Sequence, residues 1–253
     1  MRLPLLLLSA AAAFTIAGCR GGDAPPPTQP QGAERSPTTR ALEAGATAIQ
    51  DVTPVAQINV HLVGFHPMKD APAEQMTSHH YCNQVNEDFA QCVLFDGNTS
   101  QANMHGIEYI ISEKLHATLP ADERQFWHPH NYEILSGTLV APGLPDAAEK
   151  TLMRQKMNSY GKTWHLWNTG VFGRKPDALP LGPAHLAWSF NRDGEAAEQM
   201  IAERDRQLRV STGEKRRDRA DLSRTARPQD GVETLAAAFP RAAGAPAGVQ
   251  PRQ

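Results

Sequence analysis

The sequence predicts an α+β fold: one domain with a mainly antiparallel sheet and packed helices, flanked by segments that do not fold. Three observations point there. Short runs rich in β-branched and aromatic residues recur between residues 55 and 208. Helical patterns do not alternate with them as regular βαβ units. Both ends of the chain are rich in Pro, Gly, Ala and Arg and poor in large apolar side chains.

In order along the domain, residues 58–66 (INVHLVGFH) begin with polar–apolar alternation and read as a strand. Pro67 and Pro72 bracket a loop, and residues 74–82 are ambiguous between a short helix and a strand. Residues 89–96 read as a strand closed by the turn signal Asp96-Gly97-Asn98, and 107–111 as another. Ser112 is placed to cap a short helix with Glu113 in its first turn. Pro120 suits the first turn of a second short helix running to Trp127. Residues 131–140 read as a strand containing Gly137. Residues 145–160 form the strongest helical pattern before the C-terminal third, with Gly161 as its stop. Residues 163–167 and 185–190 are strand candidates, and 196–208 is a charged, solvent-facing helix. No internal repeat is visible.

The two ends carry different information. Residues 1–18 combine Arg2 with an apolar run from Leu3 to Ile16, too short to span a bilayer and fitting the apolar region of a secretory signal. Ile16-Ala17-Gly18-Cys19 resembles the cleavage box of bacterial lipoproteins, which implies a lipidated Cys19. Acyl chains then hold the protein on a lipid bilayer without a transmembrane helix, at about 0.8 kcal/mol per buried methylene. Arg20 rather than Asp after the cysteine leans towards the outer membrane, with the protein facing the periplasm of a bacterial envelope. Residues 19–54 read as a Pro-rich tether and residues 209–253 as a disordered, solvated tail. The alternative for the tail is a basic stretch (Lys215, Arg216, Arg217, Arg219, Arg224, Arg227) that touches anionic surfaces. The formal net charge is only -2, and the domain lacks the basic, aromatic-interleaved surface of a nucleic-acid binder.

Chemistry concentrates in two tetrapeptides, His79-His80-Tyr81-Cys82 and Trp127-His128-Pro129-His130. On a strand, residues i and i+2 share a face, so His80 and Cys82 point together. Pro129 favours an extended His128, and His128 and His130 then share a face too. The two pairs together make a His₃Cys set suited to zinc or a similar divalent metal. His105, Glu108 and Glu133 are additional candidate ligands or supporting partners, and His79 a candidate supporting partner. The alternative is that these histidines are hydrogen-bonded structural groups. Cys82 and Cys92 can also pair with each other in an oxidising compartment, or remain buried thiols. There is no P-loop, no Gly-x-Ser-x-Gly elbow and no His-Glu-x-x-His helix.

The two tetrapeptides also belong to a longer ordered set. Asn86-Glu87-Asp88, Gln91-Cys92, Gly106-Ile107-Glu108-Tyr109-Ile110, Ser112-Glu113-Lys114-Leu115, Tyr132-Glu133, Ser136-Gly137, Tyr160-Gly161-Lys162, Trp164 and Leu179-Pro180-Leu181-Gly182 complete it. Over roughly residues 60–189 the chain resembles the oil body-associated protein family, known from plant seed lipid droplets and from bacterial and fungal proteins of unknown function. The resemblance implies no catalytic residue. It implies a lipid surface or an envelope protein as partner, and its cytosolic members do not require a disulfide at Cys82 and Cys92. The expectation is a membrane-anchored, non-enzymatic domain that binds lipid or a partner. The alternative is a metal-dependent enzyme, a hydrolase by preference, built on His80, His128 and His130.

Overall fold

The computed structural model describes residues 22–253; Cys19 and the signal segment lie outside the described residues. The element order begins with α1 (Pro37–Ile49) and α2 (Thr53–Ala56). The strands β1 (Val60–Met68), β2 (Ala71–Asn86), β3 (Phe89–Phe95) and β4 (Met104–Ile111) follow. Next come α3 (Glu113–His116), α4 (Ala121–Arg124), β5 (His128–Pro129), α5 (Asn131–Ser136), α6 (Asp146–Lys156), β6 (Tyr160–His165) and β7 (His185–Leu186). The chain closes with α7 (Glu198–Leu208), α8 (Thr212–Asp218) and 3-10 turns at Ala220–Thr225 and Ala236–Ala238.

All strand pairs are antiparallel, in the order β1-β2-β3-β4-β6-β5 with β7 also on β6. β1 to β4 form a meander, and short loops at 69–70 and 87–88 make the first two reversals. The sheet curls into a half-barrel. After β7 the chain reaches back to β1: Ala187 donates to Thr163 O at 2.9 Å, while Trp188 donates to Pro67 O at 2.9 Å and Lys69 to Leu186 O at 2.8 Å. Residues 74–82, ambiguous in sequence, are strand because His80 and its neighbours pair on both sides, with β1 and with β3.

Register places one set of residues on the concave face. Val60, Cys82, Cys92, Glu108 and Thr163 lie opposite one another across five strands, and Leu62, His80, Leu94 and Gly106 form the adjoining row. α5 and α6 close this face over a core of Leu62, Ile134, Leu135 and Met153. α7 covers the convex face, where Leu208 packs with Ala24, Val63 and Val140.

Four expectations are corrected. Residues 131–140 contain α5, not a strand; all six of its residues are buried, so no amphipathic period marks it. Gly137 serves instead as its left-handed C-cap (φ 81°). The helix at 145–160 ends at Lys156, and Gly161 lies inside β6. The expected tail from 209 to 253 is folded onto the domain: Leu222, Val232, Leu235, Arg219 and Gln229 are buried. Polar contacts invisible to an apolar count hold it. Arg219 donates to Ile134 O and Leu139 O, and Gln229 pairs with Asn131 and Ser159 O. Part of the expected tether is also docked, through Asn98 to Ala24 and Asn103 to Thr28 O, whereas α1 buries nothing.

Candidate metal centre

The concave face carries a polar centre in an otherwise apolar chamber. Glu108 of β4 is its hub. His80 of β2 approaches with Nε2 2.9 Å from Glu108 Oε2. His130 Nε2 is 3.2 Å and His128 Nε2 3.6 Å from Glu108 Oε1. The two ring nitrogens of His130 and His128 are 3.2 Å apart, and His66 Nε2 of β1 lies 3.4 Å from His80 Nε2. Two overlapping sets, His66–His80–Glu108 and Glu108–His128–His130, each bring their ligand atoms within 4.8 Å of one another, and all five residues are buried. Donors about 2.0–2.1 Å from a tetrahedral ion stand roughly 3.3 Å apart. The buried cluster therefore has the spacing to hold a metal.

The local sequence explains each placement. Pro129 keeps His128 extended at the sheet edge, where the missing N–H costs no ladder bond. His130 then turns into the N-cap of α5 (φ -108°, ψ -7°), so the pair converges through a strand-to-helix corner rather than through strand alternation. Gly161, opposite His128 on β6, makes the room. A Cβ there would lie 2.2 Å from Glu108 Oε1 and 2.6 Å from His128 Nε2.

Supporting hydrogen bonds fix the tautomers. Ser159 Oγ donates to Lys156 O at 2.7 Å, so it accepts from His130 Nδ1–H at 2.8 Å. His80 Nδ1–H donates to Ser78 O at 3.1 Å. In their neutral forms both rings thus aim Nε2 lone pairs at Glu108, which is itself an acceptor. Burial alone would raise the Glu108 carboxyl; where His130 and His80 carry a second proton and donate Nε2–H to it, those contacts outweigh burial and hold the group well below the ordinary carboxylate value. Burial, then the nearby His80, pushes His66 well below the usual imidazole range. Burial, then His130, pushes His128 down to about 3. Glu133, 4.0 Å from His130 Nε2, is pushed well above the carboxylate range by burial and then by the Glu108 charge. Burial thus disfavours the charged forms of His66 and His128, and a neutral imidazole is the form in which histidine binds a metal.

Of the residues singled out in the sequence, His80, His128, His130 and Glu108 meet at this centre, Glu108 as a hub rather than a supporting group. Glu133 lies beside it. Cys82 does not join it: its sulfur is bonded to Cys92, directly opposite on β3. His79 points to the convex face, where its Nδ1 meets His61 Nε2 at 3.0 Å. His105 does reach the interior, because a bulge between β3 and β4 leaves it unpaired, but it contacts His165 (2.8 Å) and Ser78 (3.5 Å), not Glu108. Sequence reasoning missed His66 and His165, which lie 3.0 Å apart. The signal for His66 was its period-two spacing from Leu62 and Gly64 on β1.

The profile described as "Protein of unknown function (DUF1264)" matches residues 52–223. The chain belongs to this family, that of the oil body-associated proteins. It is 37% identical to oil body-associated protein 1B of Arabidopsis thaliana over 198 residues, 78% of this chain and 79% of that protein. It is 36% identical to oil body-associated protein 1A of Zea mays over 78% of this chain and 80% of that one. Oil body-associated protein 2A of Zea mays is 34% identical over 83% of each. The matched region runs past residue 208 to include α8 and Arg219, consistent with their packing against α5. No solved structure matches the chain.

Proposed function

We propose that this family member is a metal-binding domain whose half-barrel holds one divalent ion, zinc or a similar metal, among His66, His80, Glu108, His128 and His130. One observation carries the reading. His80 and His130 spend their Nδ1–H groups on Ser78 O and Ser159 Oγ, so their Nε2 lone pairs face the Glu108 oxygens at 2.9 and 3.2 Å. Acceptors facing acceptors in a buried chamber repel unless each ring takes a second proton or a cation lies between them. A divalent ion in either set, His66–His80–Glu108 or Glu108–His128–His130, lets the lone pairs on its side share a cation with the carboxylate, where the alternative buries two imidazolium charges beside one carboxylate. A set of purely structural histidines would instead match donors to acceptors.

A bound ion would supply Lewis acidity and an activated water at a sheltered position, which is what the hydrolase reading requires. The direct test is elemental analysis of the full chain purified without a histidine tag. The expected result is close to one metal per chain, lost in His130→Ala with the far-UV spectrum unchanged. Substoichiometric metal in the wild type, or full metal in the variant, overturns the reading.

A second reading concerns where the domain works. The apolar run from Leu3 to Ile16 followed by Cys19, together with relatives named for oil bodies, supports a lipidated protein working at a lipid surface or on an envelope protein. Among the described residues no helix is long and apolar enough to cross a membrane. Radiolabelled palmitate should enter the wild type and not Cys19→Ser. Equal labelling of the two removes the anchor. Separately, failure of the Cys19→Ser chain to float with vesicles of several lipid classes removes direct lipid binding.

A further inference from the structure

We propose that the metal centre is open to one side through a cleft that takes a small organic acid, its carboxylate reaching the ion and its apolar tail lying along the cleft. The proposal rests on the metal reading above and names the class of ligand.

Two spaces adjoin along the concave face. The inner one, about 20 Å³, lies among His80, Glu108, His130 and Glu133. That is enough for a single water-sized group, since one water needs about 10–15 Å³ by the same measure. The outer one, about 260 Å³, lies between the ends of β1–β4 and α6. Leu62, Ile110 and Lys156 line both, so these three side chains form the neck between them. The outer space is smaller than the roughly 300–1,000 Å³ that accommodates drug-sized ligands, which sets the ligand's scale.

The walls set its character. Val60, Leu62, Ile110 and Leu152 give the cleft an apolar wall, beside the polar side chains of Gln84, Glu87 and Gln155. Against it stands Lys156, the one lysine or arginine among the described residues that lines either space. Its Nζ donates to the neutral amide oxygen of Gln84, and among the described residues no carboxylate oxygen comes within 4.0 Å of it. A half-buried ammonium with no carboxylate within 4.0 Å favours an anion: burial pushes Lys156 down, and the more distant Glu87 and Glu108 charges offset this only in part. The inner space admits one oxygen donor at an ion that prefers negative oxygen. An apolar passage, a lone cation at its neck and a one-atom position at the metal together describe a monocarboxylate with a short hydrocarbon tail.

Calorimetry on the zinc-loaded full chain tests this, with acetate, butanoate, hexanoate and octanoate set against hexan-1-ol. The acids with tails should bind, with hexanoate at least about tenfold tighter than hexan-1-ol, the usual size of a charge-assisted contact. Lys156→Met should weaken hexanoate about tenfold and leave hexan-1-ol unchanged, with hexanoate still the tighter of the two because its carboxylate reaches the ion. Leu152→Trp and, from the opposite wall, Val60→Trp should each weaken hexanoate about tenfold or more by filling the cleft, with zinc content unchanged as the control for folding. No binding of any acid, equal binding of acid and alcohol, or full hexanoate affinity in both tryptophan variants overturns the proposal. Hexanoate that binds the zinc-free and zinc-loaded chains equally also overturns it, because the head group then does not reach the ion. Failure of the metal reading itself shows separately, as absent zinc in the elemental analysis before any acid is added.

Discussion

His79 and His80 are neighbours on one strand, both buried, yet they belong to opposite kinds of site. His79 faces the convex side, where it meets His61 at 3.0 Å, and His61 in turn stacks on Tyr81 with ring centroids 4.6 Å apart. One donor and one acceptor satisfy that pair, and the stack packs like any aromatic contact. His80 faces the concave side with its donor already committed to Ser78 O, a carboxylate ahead of its lone pair and a second imidazole beside it. Burial is common to both. The difference lies in whether the hydrogen-bonding groups cancel, and the concave set is left with imidazole lone pairs on both sides of one shared carboxylate.

The sharpest way to break this comparison is to remove one member from each side. Glu108→Gln or His80→Ala should lower metal affinity by at least about 100-fold, beyond the 10–100-fold typical of losing a mere supporting partner. His79→Ala should leave metal content intact and cost about 1–2 kcal/mol of stability through the lost hydrogen bond and packing. Metal titration alongside urea denaturation reads both. Metal loss in His79→Ala, or its retention in Glu108→Gln, would erase the distinction between the two faces.

Acid should act on both regions alike, so it separates stability from metal binding. Burial pushes His61 on the convex face and His105 in the interior down to about 4. The folded chain refuses protons that the unfolded chain accepts below about 6.5, so each group's contribution to stability is present above 6.5 and lost as pH falls towards 4. The slope is about 1.4 kcal/mol per pH unit for each histidine. The urea midpoint of the metal-free chain should therefore fall steadily from pH 6.5 to 4.5. His61→Phe should flatten the curve without altering metal content, and an unchanged slope would show that His61 carries no such linkage.

How much of this was legible in the sequence depended on range. The antiparallel α+β class, five of the strands, the longer helices α6 and α7 and the short α3 and α4 left local patterns. His80, His128 and His130 stood out because histidine pairs at i, i+2 are chemically distinctive. His66 and His165 did not, because neither has a histidine or cysteine at i±2 and the partner of each lies 99 residues away. Cys82 was drawn into the metal set because strand alternation gives its face, whereas its opposition to Cys92 depends on register across a hairpin. The C-terminal segment looked unfoldable by apolar content, since buried arginine and glutamine side chains bonded to backbone carbonyls hold it. Glu108's position as hub was invisible for the same reason: it follows from sheet curl and from a glycine two strands away in sequence order.

That glycine provides the next test. Gly161→Ala adds one carbon, and nothing else, between Glu108 and His128. Both side chains must retreat, which should reduce metal affinity about 10–100-fold while the convex face is untouched. Glu108 and His128 sit too close for the strand to absorb the methyl by a rotamer change alone. Competition with a chromogenic chelator measures the loss. Unchanged affinity would mean that the ion sits on the His66–His80 side and leaves His128 free.

The smallest expected effect comes from Ser159, which touches no lone pair of the centre. Its hydroxyl accepts His130 Nδ1–H and donates to Lys156 O, so it sets which nitrogen of His130 carries the proton. In Ser159→Ala the ring can adopt either tautomer, and the one with its proton on Nε2 cannot bind an ion. Metal affinity should fall about tenfold, and Ser159→Thr, which keeps the hydroxyl, should restore most of it. The loss should not vary with pH, because the two neutral tautomers carry the same number of protons. A structural role alone would lower stability in Ser159→Ala and leave the affinity where it was.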